Sequence, residues 1–188
     1  MESVNALSLS HQFLSGLVQP GDLCIDATAG RGGDTAFLCR LVGQEGRVLA
    51  FDIQEEAVKS TRLRLEEMGL FDRAQVLLEG HEHMACYAEP GTVRAVTFNL
   101  GWLPGGDHTR FTRPETTLSA LEQSLTLLCP DGVVSICIYY GRETGFAERD
   151  AVLEWLRQVD PCIASVLVSQ FVNRPNCPAI AAFLLKGR

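Results

Sequence analysis

The sequence lacks long apolar runs, and none approaches the ~20 residues that a membrane-spanning helix requires. Its amino terminus, MESVNALSLSHQ, also lacks the charged segment followed by an apolar stretch that is typical of a secretory signal. These two absences give no indication of a membrane partner or of export. We therefore expect a cytoplasmic protein.

Positive charge is scarce, because 16 Lys and Arg residues stand against 23 Asp and Glu residues and leave a net charge of -7. This balance argues against a uniformly basic nucleic-acid-binding surface, although a local basic patch remains compatible with it. The 7 cysteines are an odd number without a C-x-x-C pair, and most of them lie in apolar runs. Reduced, buried thiols fit this distribution better than a disulfide framework does.

The most informative stretch covers residues 23–54, which read LCIDATAGRGGDTAFLCRLVGQEGRVLAFDIQ. An apolar run ends at Asp26, and a glycine-rich turn with Gly30 follows it. An amphipathic segment then leads to a second apolar run that ends at Asp52. This order predicts a strand, a loop, a helix and a strand, the unit from which nucleotide-binding sheets are built.

The whole chain repeats this alternation, and its 188 residues fit one domain, residues 1–188. Strands are predicted at residues 23–27, 47–53, 74–78, 93–100 and 132–139, with mostly helical connections, and a closing hairpin at 163–169 and 179–185. We predict an α/β fold with a Rossmann-like, doubly wound sheet, mostly parallel with an antiparallel C-terminal hairpin strand. Ligands of such sheets lie beyond the carboxyl ends of the strands, where four polar side chains would cluster: Asp26, Asp52, His81 and Asn99.

The spacing of the turn separates three kinds of nucleotide ligand. A phosphate-binding P-loop needs a lysine near Gly30, and the sequence has none there. A dinucleotide fingerprint starting at Gly30 fails at Thr35, which does not exclude NAD but makes it less favoured. S-adenosylmethionine carries an α-amino acid, a ribose diol and a cationic sulfonium; Asp26 suits the ammonium group and Asp52 the ribose. The turn therefore favours a methyl donor over NAD.

A second signal is the tetrapeptide Asn99-Leu100-Gly101-Trp102, which resembles the [DN]-P-P-[YFW] motif of amino-group methyltransferases. The Asn99 side-chain carbonyl and the Leu100 backbone carbonyl can orient an amine toward a methyl donor. Trp102 is either a stacking surface for the substrate or an anchor for its loop. Asp107 and Tyr139 are the candidate proton acceptors.

The segments IDATAGRGGDTAFL, AFDIQ, FNLGWLPGGD and QFVNRPNCP together make the chain closely resemble the Putative rRNA methylase family of class I methyltransferases. The resemblance implies that S-adenosylmethionine methylates the amine of 5-aminomethyl-2-thiouridine at the wobble position of tRNA. It also implies cofactor contacts at Arg31, Asp34, Asp52, Gln54, Gly80 and His81. The sequence departs from the family pattern at Arg31, Gly33, Gly80 and the segment Tyr140-Gly141-Arg142.

Two local features allow more than one interpretation. Asp34 is either a helix cap or a cofactor contact. The spacing of His81, Glu82, His83 and Cys86 matches no common closed zinc site, so no metal is expected.

The arginines on the loops form either ordinary surface charge or a phosphate-binding rim that includes Arg113. The candidate substrate contacts are Trp102, Arg110, Arg142, Asn173 and Arg174. The expected partner is the anticodon region of tRNA, and a homodimer is compatible with the sequence. Ribosomal RNA, a small-molecule amine and, less favoured, an NAD-binding Rossmann protein are the alternatives.

Overall fold

A computed structural model describes residues 4–101, 112–141 and 143–187, and these residues form a seven-stranded sheet. The strands are β1 (Leu23–Asp26), β2 (Arg47–Asp52), β3 (Ala74–Leu78), β4 (Val93–Leu100), β5 (Leu128–Ile138), β6 (Ala164–Ser169) and β7 (Ile180–Lys186). Their order across the sheet is β3-β2-β1-β4-β5-β7-β6. Strands β1 to β5 are parallel, and β7 lies antiparallel to both β5 and β6. The predicted α/β sheet with an antiparallel C-terminal hairpin is confirmed.

Helices cover both faces of the sheet. They are α1 (Ala6–Ser15), α2 (Gly33–Val42), α3 (Glu55–Glu67), α4 (Pro114–Leu127) and α5 (Glu143–Gln158), with 3₁₀ turns at Phe71–Arg73 and His81–Cys86. Successive strand residues point to opposite faces, so Cys24 packs beneath α1 and α2, whereas Ile25 packs in the core shared with α4 and α5. Within the described residues, no helix is long and apolar enough to cross a membrane.

The strand order reverses beside β1, which pairs with β2 on one side and β4 on the other. Such a reversal opens a crevice at the carboxyl ends of the two neighbouring strands, because their connections leave in opposite directions. Asp26 is the last residue of β1 at this crevice, and Asp52 is the last residue of β2. Asn99 is the last residue but one of β4. The fold therefore brings together the polar residues that the sequence predicted there.

Strand β5 begins at Leu128, earlier than the predicted residue 132. Leu128 pairs with Val93, after which the register shifts and Val133 pairs with Ala95. The intervening Pro130 and Asp131, the latter at φ 60°, form a local irregularity within the strand. Because proline and aspartate are typical of turns, the sequence pattern predicted that the strand begins only after them.

The sequence Thr112-Arg113-Pro114-Glu115 has the S/T-x-x-E form of a capping box and predicts Thr112 as a helix N-cap, and this prediction is wrong. Arg113 is the N-cap of α4 without a side-chain cap bond, and Pro114 follows at a position where no backbone N–H is needed. The Thr112 hydroxyl instead accepts a hydrogen bond from the Gly101 N–H, at 3.1 Å, and donates to the Glu148 carboxylate, at 2.6 Å. Thr112 thus joins the end of β4 to α5.

Glu148 is the buried carboxyl at the centre of this contact. It is 3% exposed and accepts a second hydrogen bond, of 2.8 Å, from the Thr117 hydroxyl of α4. Burial raises its pKa above the usual glutamate value, and the two threonine donors offset only part of that rise. The carboxyl therefore binds its proton more tightly in the folded chain than in the unfolded chain.

This raised pKa gives a testable dependence of stability on pH. A raised folded-state pKa contributes stability below the usual value of 4.5, and that contribution is lost as the pH rises through the folded-state value. Glutamine does not titrate, so Glu148→Gln loses no stability in this way. The free energy of unfolding of the variant minus that of the unmodified protein, measured by urea denaturation, should therefore be larger at about pH 7.5 than at about pH 4.5. Glu66→Gln on the exposed face of α3 is the control. An identical difference at both pH values for Glu148→Gln would contradict the raised pKa.

Candidate functional site

The turn that follows β1 lies across the ends of three strands. The Ala27 N–H donates to the Thr97 carbonyl of β4, and the Ala29 N–H donates to the Phe51 carbonyl of β2, both at 2.9 Å. The Gly30 N–H then donates to the Asp52 carboxylate, also at 2.9 Å. The turn is therefore fixed at the centre of the crevice.

Gly30 and Gly32 make this path possible. Their φ values are 55° and 74°, in the left-handed region that side chains other than glycine rarely adopt. A Cβ at Gly32 would also lie 2.9 Å from the Thr61 Cα of α3. Glycine at this position lets the turn pass directly over α3 and reach the start of α2.

Asp26 lies beneath the turn and is completely buried. Its carboxylate accepts hydrogen bonds from the Thr35 hydroxyl, at 2.6 Å, and from the Thr28 N–H, at 3.2 Å. Burial and the negative charge of nearby Asp34 raise the pKa of Asp26 above its usual range. A cation bound nearby would lower that pKa again, so this corner of the site favours positive charge.

Asp52 stands at the opposite side of the turn, at the end of β2. One carboxylate oxygen accepts the Gly30 N–H and the other accepts the Gln54 N–H, each at 2.9 Å. Each oxygen keeps a further acceptor position, because a carboxylate oxygen carries two lone pairs. Burial raises the pKa of Asp52, and the backbone donors oppose that rise. The predicted cofactor residues Asp52 and Gln54 thus lie side by side at the crevice.

His81 follows β3 and points back toward the turn. Its Nδ1 donates to the Ala27 carbonyl at 3.1 Å, and its ring meets Phe98 edge to face. Burial lowers the pKa of His81, which favours the neutral ring. The Nε2 atom is then an acceptor, and it is buried without a hydrogen-bond partner among the described residues. An unsatisfied buried acceptor beside the turn fits a ligand that brings a donor group.

The other members of the His81 segment point elsewhere. Gly80 is buried immediately before His81, whereas exposed His83 pairs with Glu79 at 2.8 Å. Within residues 4–101, 112–141 and 143–187, no three His, Cys, Asp or Glu side chains are close enough together to hold a metal ion.

Asn99 is fixed by both its backbone and its side chain. Its backbone N–H donates to the Thr28 hydroxyl, and its side-chain Nδ2 donates to the Asp34 carboxylate, both at 2.7 Å. Because the amide nitrogen faces Asp34, the Oδ1 atom of Asn99 faces the opposite way. Among the described residues, that oxygen has no hydrogen-bond partner. The Leu100 carbonyl, by contrast, already accepts the Tyr139 N–H at 3.0 Å.

Asp34 does not cap α2. The N-cap is Gly32, without a side-chain cap bond, and Asp34 lies inside the first turn of the helix. Its second carboxylate oxygen is 2.7 Å from Nε2 of His11, a residue of α1. His11 was not found in the sequence analysis, because a histidine on a leading helix belongs to no local motif. Asp34 therefore bridges α1 and β4 instead of satisfying the helix end.

The remaining predicted residues lie around the crevice or outside the described part of the chain. Tyr139 follows β5, and burial together with the charges of Cys137 and Asp34 raises its pKa to about 12, so its phenol is neutral near pH 7. Arg31 is exposed on the turn. The predicted residues Trp102, Asp107, Arg110 and Arg142 lie outside the described residues.

The turn between β6 and β7 reaches the same edge of the sheet, because Ile180 pairs with Ile138 at the end of β5. Asn173 and Arg174 lie in this exposed turn. The Arg174 guanidinium donates to the Val4 carbonyl at 2.6 Å and lies 3.7 Å from the centre of the Phe171 ring. Arg174 is thus held in place by Val4 and Phe171, with its side chain exposed to solvent.

Comparisons with known proteins show which proteins this chain resembles. Residues 48–184 match the model of the family described as "Putative rRNA methylase". The chain is 34% identical, over 96% of its length and 69% of the relative's, to the chloroplastic tRNA (mnm5s2U34)-methyltransferase of Arabidopsis thaliana.

Two solved structures share nearly the whole fold. One is described as a "putative rRNA-methylase" from Clostridium thermocellum; it is 44% identical, with a TM-score of 0.96 over 99% of this chain and 100% of that one. The other is described as "a putative methyltransferase" from Streptococcus mutans in complex with S-adenosylhomocysteine; it is 36% identical, with a TM-score of 0.89 over 98% of this chain and 99% of that one.

The conformation of the turn predicts a large difference between two neighbouring substitutions. Gly32→Ala combines a left-handed φ with a contact against the backbone of α3, so chemical denaturation should show a loss of about 1 to 3 kcal/mol in the free energy of unfolding. Gly33→Ala is the matched control, because a Cβ there meets nothing within 4 Å. Equal stabilities for the two variants would contradict the described path of the turn.

Proposed function

Because this chain belongs to the Putative rRNA methylase family, we propose that it methylates an amine on RNA, and specifically the 5-aminomethyl group of the wobble 2-thiouridine of tRNA. The chain is an S-adenosylmethionine-dependent methyltransferase with the class I fold. The preference for S-adenosylmethionine over NAD that the glycine turn indicated is thereby confirmed. The acceptor and the role of each residue are our proposal, with residues 1–188 acting as one domain.

The crevice fits S-adenosylmethionine, which supplies an electrophilic methyl group on a positively charged sulfonium. The unused acceptor positions of Asp52 suit the hydroxyl groups of a ribose. The unpartnered Nε2 of His81 suits a donor such as the adenine amino group. The Asp26 carboxyl group stabilises a positively charged group of the cofactor above the turn. We assign cofactor contacts to Asp26, Gly30, Arg31, Asp34, Asp52, Gln54, Gly80 and His81.

The observation that carries the choice of an amine acceptor is the orientation of Asn99. Asp34 holds the amide nitrogen, and Oδ1 has no partner within the described part of the chain at the carboxyl end of β4. A primary amine can donate one N–H to Oδ1 and direct its lone pair toward the methyl group. An alkylammonium has no lone pair, so the site must also favour the neutral amine. This requirement opposes the acidic residues around the turn, because negative charge stabilises the protonated amine.

The proton of the ammonium must leave before the amine attacks. Asp107 and Tyr139 remain our candidates for accepting it. Since the Tyr139 phenol is neutral near pH 7, it can accept a hydrogen bond or relay the proton through water, but it is not a phenolate base.

The RNA assignment is supported by the tRNA named for the Arabidopsis relative and by arginines at the crevice. Arg31, Arg113 and Arg174 are exposed near the carboxyl ends of the strands and can contact phosphates despite the net charge of -7. A wobble base lies in a single-stranded loop, where leaving the stack costs little. We keep Trp102, Arg110, Arg142, Asn173 and Arg174 as substrate contacts, the anticodon region as the partner, and a cytoplasmic location.

The assay is transfer of tritium from labelled S-adenosylmethionine into purified tRNA, purified ribosomal RNA and small amines. We expect label in tRNA that carries 5-aminomethyl-2-thiouridine and none in tRNA without it. Label in ribosomal RNA alone would support the reaction that the family description names. Label in small amines alone would show that RNA is not the substrate.

Asn99→Ala tests the amine-orienting role. We expect methyl transfer to fall at least about 100-fold, because a positioned acceptor is lost at the reacting nitrogen. The dissociation constant of S-adenosylhomocysteine, measured by titration calorimetry, should change little. Gln75→Ala on exposed β3 is the control for loss of a side-chain amide. Full methylation by Asn99→Ala with unchanged cofactor affinity would refute the orienting role.

A further inference from the structure

Three side chains from separate elements form one hydrogen-bonded chain at the crevice. His11 of α1 contacts Asp34 of α2 through its Nε2 at 2.7 Å, and Asp34 contacts the side chain of Asn99 of β4 at 2.7 Å. The proposed function assigns the acceptor amine to Asn99 and a cofactor contact to Asp34, but it assigns no contact to His11. His11 therefore acts on the reaction through Asp34 and Asn99.

We propose that His11 is a positioning residue for methyl transfer: through Asp34 it holds the Asn99 amide with Oδ1 facing the acceptor amine. This inference rests on the proposed function, since it gives a purpose to one orientation of Asn99. The position of His11, 23 residues before Asp34 and on a helix that precedes the sheet, lies outside the methyltransferase motifs of the sequence.

Asp34 can select the orientation of Asn99 because a carboxylate only accepts hydrogen bonds. The Asp34 carboxylate attracts the Nδ2 donor of Asn99 and repels its Oδ1 acceptor. Asp34 therefore selects the orientation of the amide in which Oδ1 faces away from it.

Asp34 needs a hydrogen-bond donor on its second oxygen as well, because its side chain is only 8% exposed and water reaches it poorly. The Nε2–H of His11 supplies that donor on the carboxylate oxygen that Asn99 does not use. Removing the donor would leave a nearly buried carboxylate half satisfied and free to rotate.

The ring of His11 is itself held in one orientation. It stacks on Phe37 of α2 with ring centres 3.8 Å apart and planes 6° from parallel. Its helix is attached to the sheet by a 2.7 Å hydrogen bond between Ser10 and Ser135 and by stacking of Phe13 on Phe183. α1 therefore presents Nε2 to Asp34 from a fixed position.

Two substitutions separate the hydrogen bond from the stacking. His11→Phe keeps a flat ring against Phe37 but has no donor. His11→Gln keeps an N–H at nearly the position of Nε2 but loses the ring. Gln12→Ala, at the adjacent exposed position of α1, is the control. Each variant is measured for single-turnover methyl transfer to tRNA that carries 5-aminomethyl-2-thiouridine, for S-adenosylhomocysteine affinity and for thermal midpoint.

At saturating S-adenosylmethionine, which removes any effect of weaker cofactor binding through Asp34, we expect His11→Phe to lower the single-turnover rate about tenfold and His11→Gln to recover most of it. A normal rate in His11→Phe under these conditions would overturn the inference. A loss of rate that follows the thermal midpoint, and that His11→Gln does not recover, would also overturn it, because the role would then be folding.

An activity-independent measurement separates this inference from the proposed function. The side-chain amide signals of Asn99 in a ¹⁵N–¹H spectrum, identified by their loss in Asn99→Ala, should shift in His11→Phe and stay close to their positions in His11→Gln. If the unmodified protein methylates no RNA, the proposed function fails, and these signals still decide whether His11 controls Asn99. Identical Asn99 signals in His11→Phe and the unmodified protein would overturn the link.

Discussion

The hydrogen bond from the Gly30 amide to the Asp52 carboxylate fixes the turn on which the whole site depends. Together with the backbone bonds from Ala27 to β4 and from Ala29 to β2, it places a left-handed glycine turn across three strand ends. The turn then supplies partners to the rest of the site: its Ala27 carbonyl holds His81, and its Thr28 hydroxyl holds the Asn99 backbone. The conformation of this turn therefore fixes the positions of the residues proposed to bind the methyl donor and of the residue proposed to orient the amine.

Negative charge around this turn explains why a cationic cofactor suits the crevice. Asp26, Asp34 and Asp52 surround the turn, and desolvation with mutual repulsion raises the pKa of Asp26. Backbone N–H groups and the Thr35 hydroxyl donate to Asp26 and Asp52, and the side chains of His11 and Asn99 contact Asp34. A sulfonium or ammonium group bound above them relieves the repulsion, whereas a phosphate would increase it. The same charges can favour an ammonium acceptor, so release of its proton is a separate requirement on the site.

Much of this arrangement could be predicted from sequence because it follows from local patterns. Apolar runs that end in Asp26, Asp52 and Asn99 indicate parallel strands, and parallel strands collect their carboxyl ends at one edge. The glycine spacing separated S-adenosylmethionine from nucleoside triphosphates, and the fold and family predictions were confirmed. The start of β5 was misjudged because Pro130 and Asp131 normally mark a turn, whereas here they lie in an irregular stretch of strand.

The contacts that sequence analysis missed join residues far apart in the chain. Thr112 had the pattern of a capping box, yet it bonds Glu148, which is 36 positions away. Asp34 was predicted as either a helix cap or a cofactor contact, and the structure shows bonds to His11 and Asn99, which are 23 and 65 positions away. The donor that a side-chain oxygen binds depends on all the donors that the fold brings near it. These donors are known only once the chain is packed.

The most direct test of the central claim is nucleoside analysis, by mass spectrometry, of tRNA from cells that lack this protein. We predict that 5-methylaminomethyl-2-thiouridine disappears and 5-aminomethyl-2-thiouridine accumulates, and that the unmodified gene restores the methylated nucleoside whereas Asn99→Ala does not. Unchanged levels of both nucleosides in the tRNA of these cells would contradict the account.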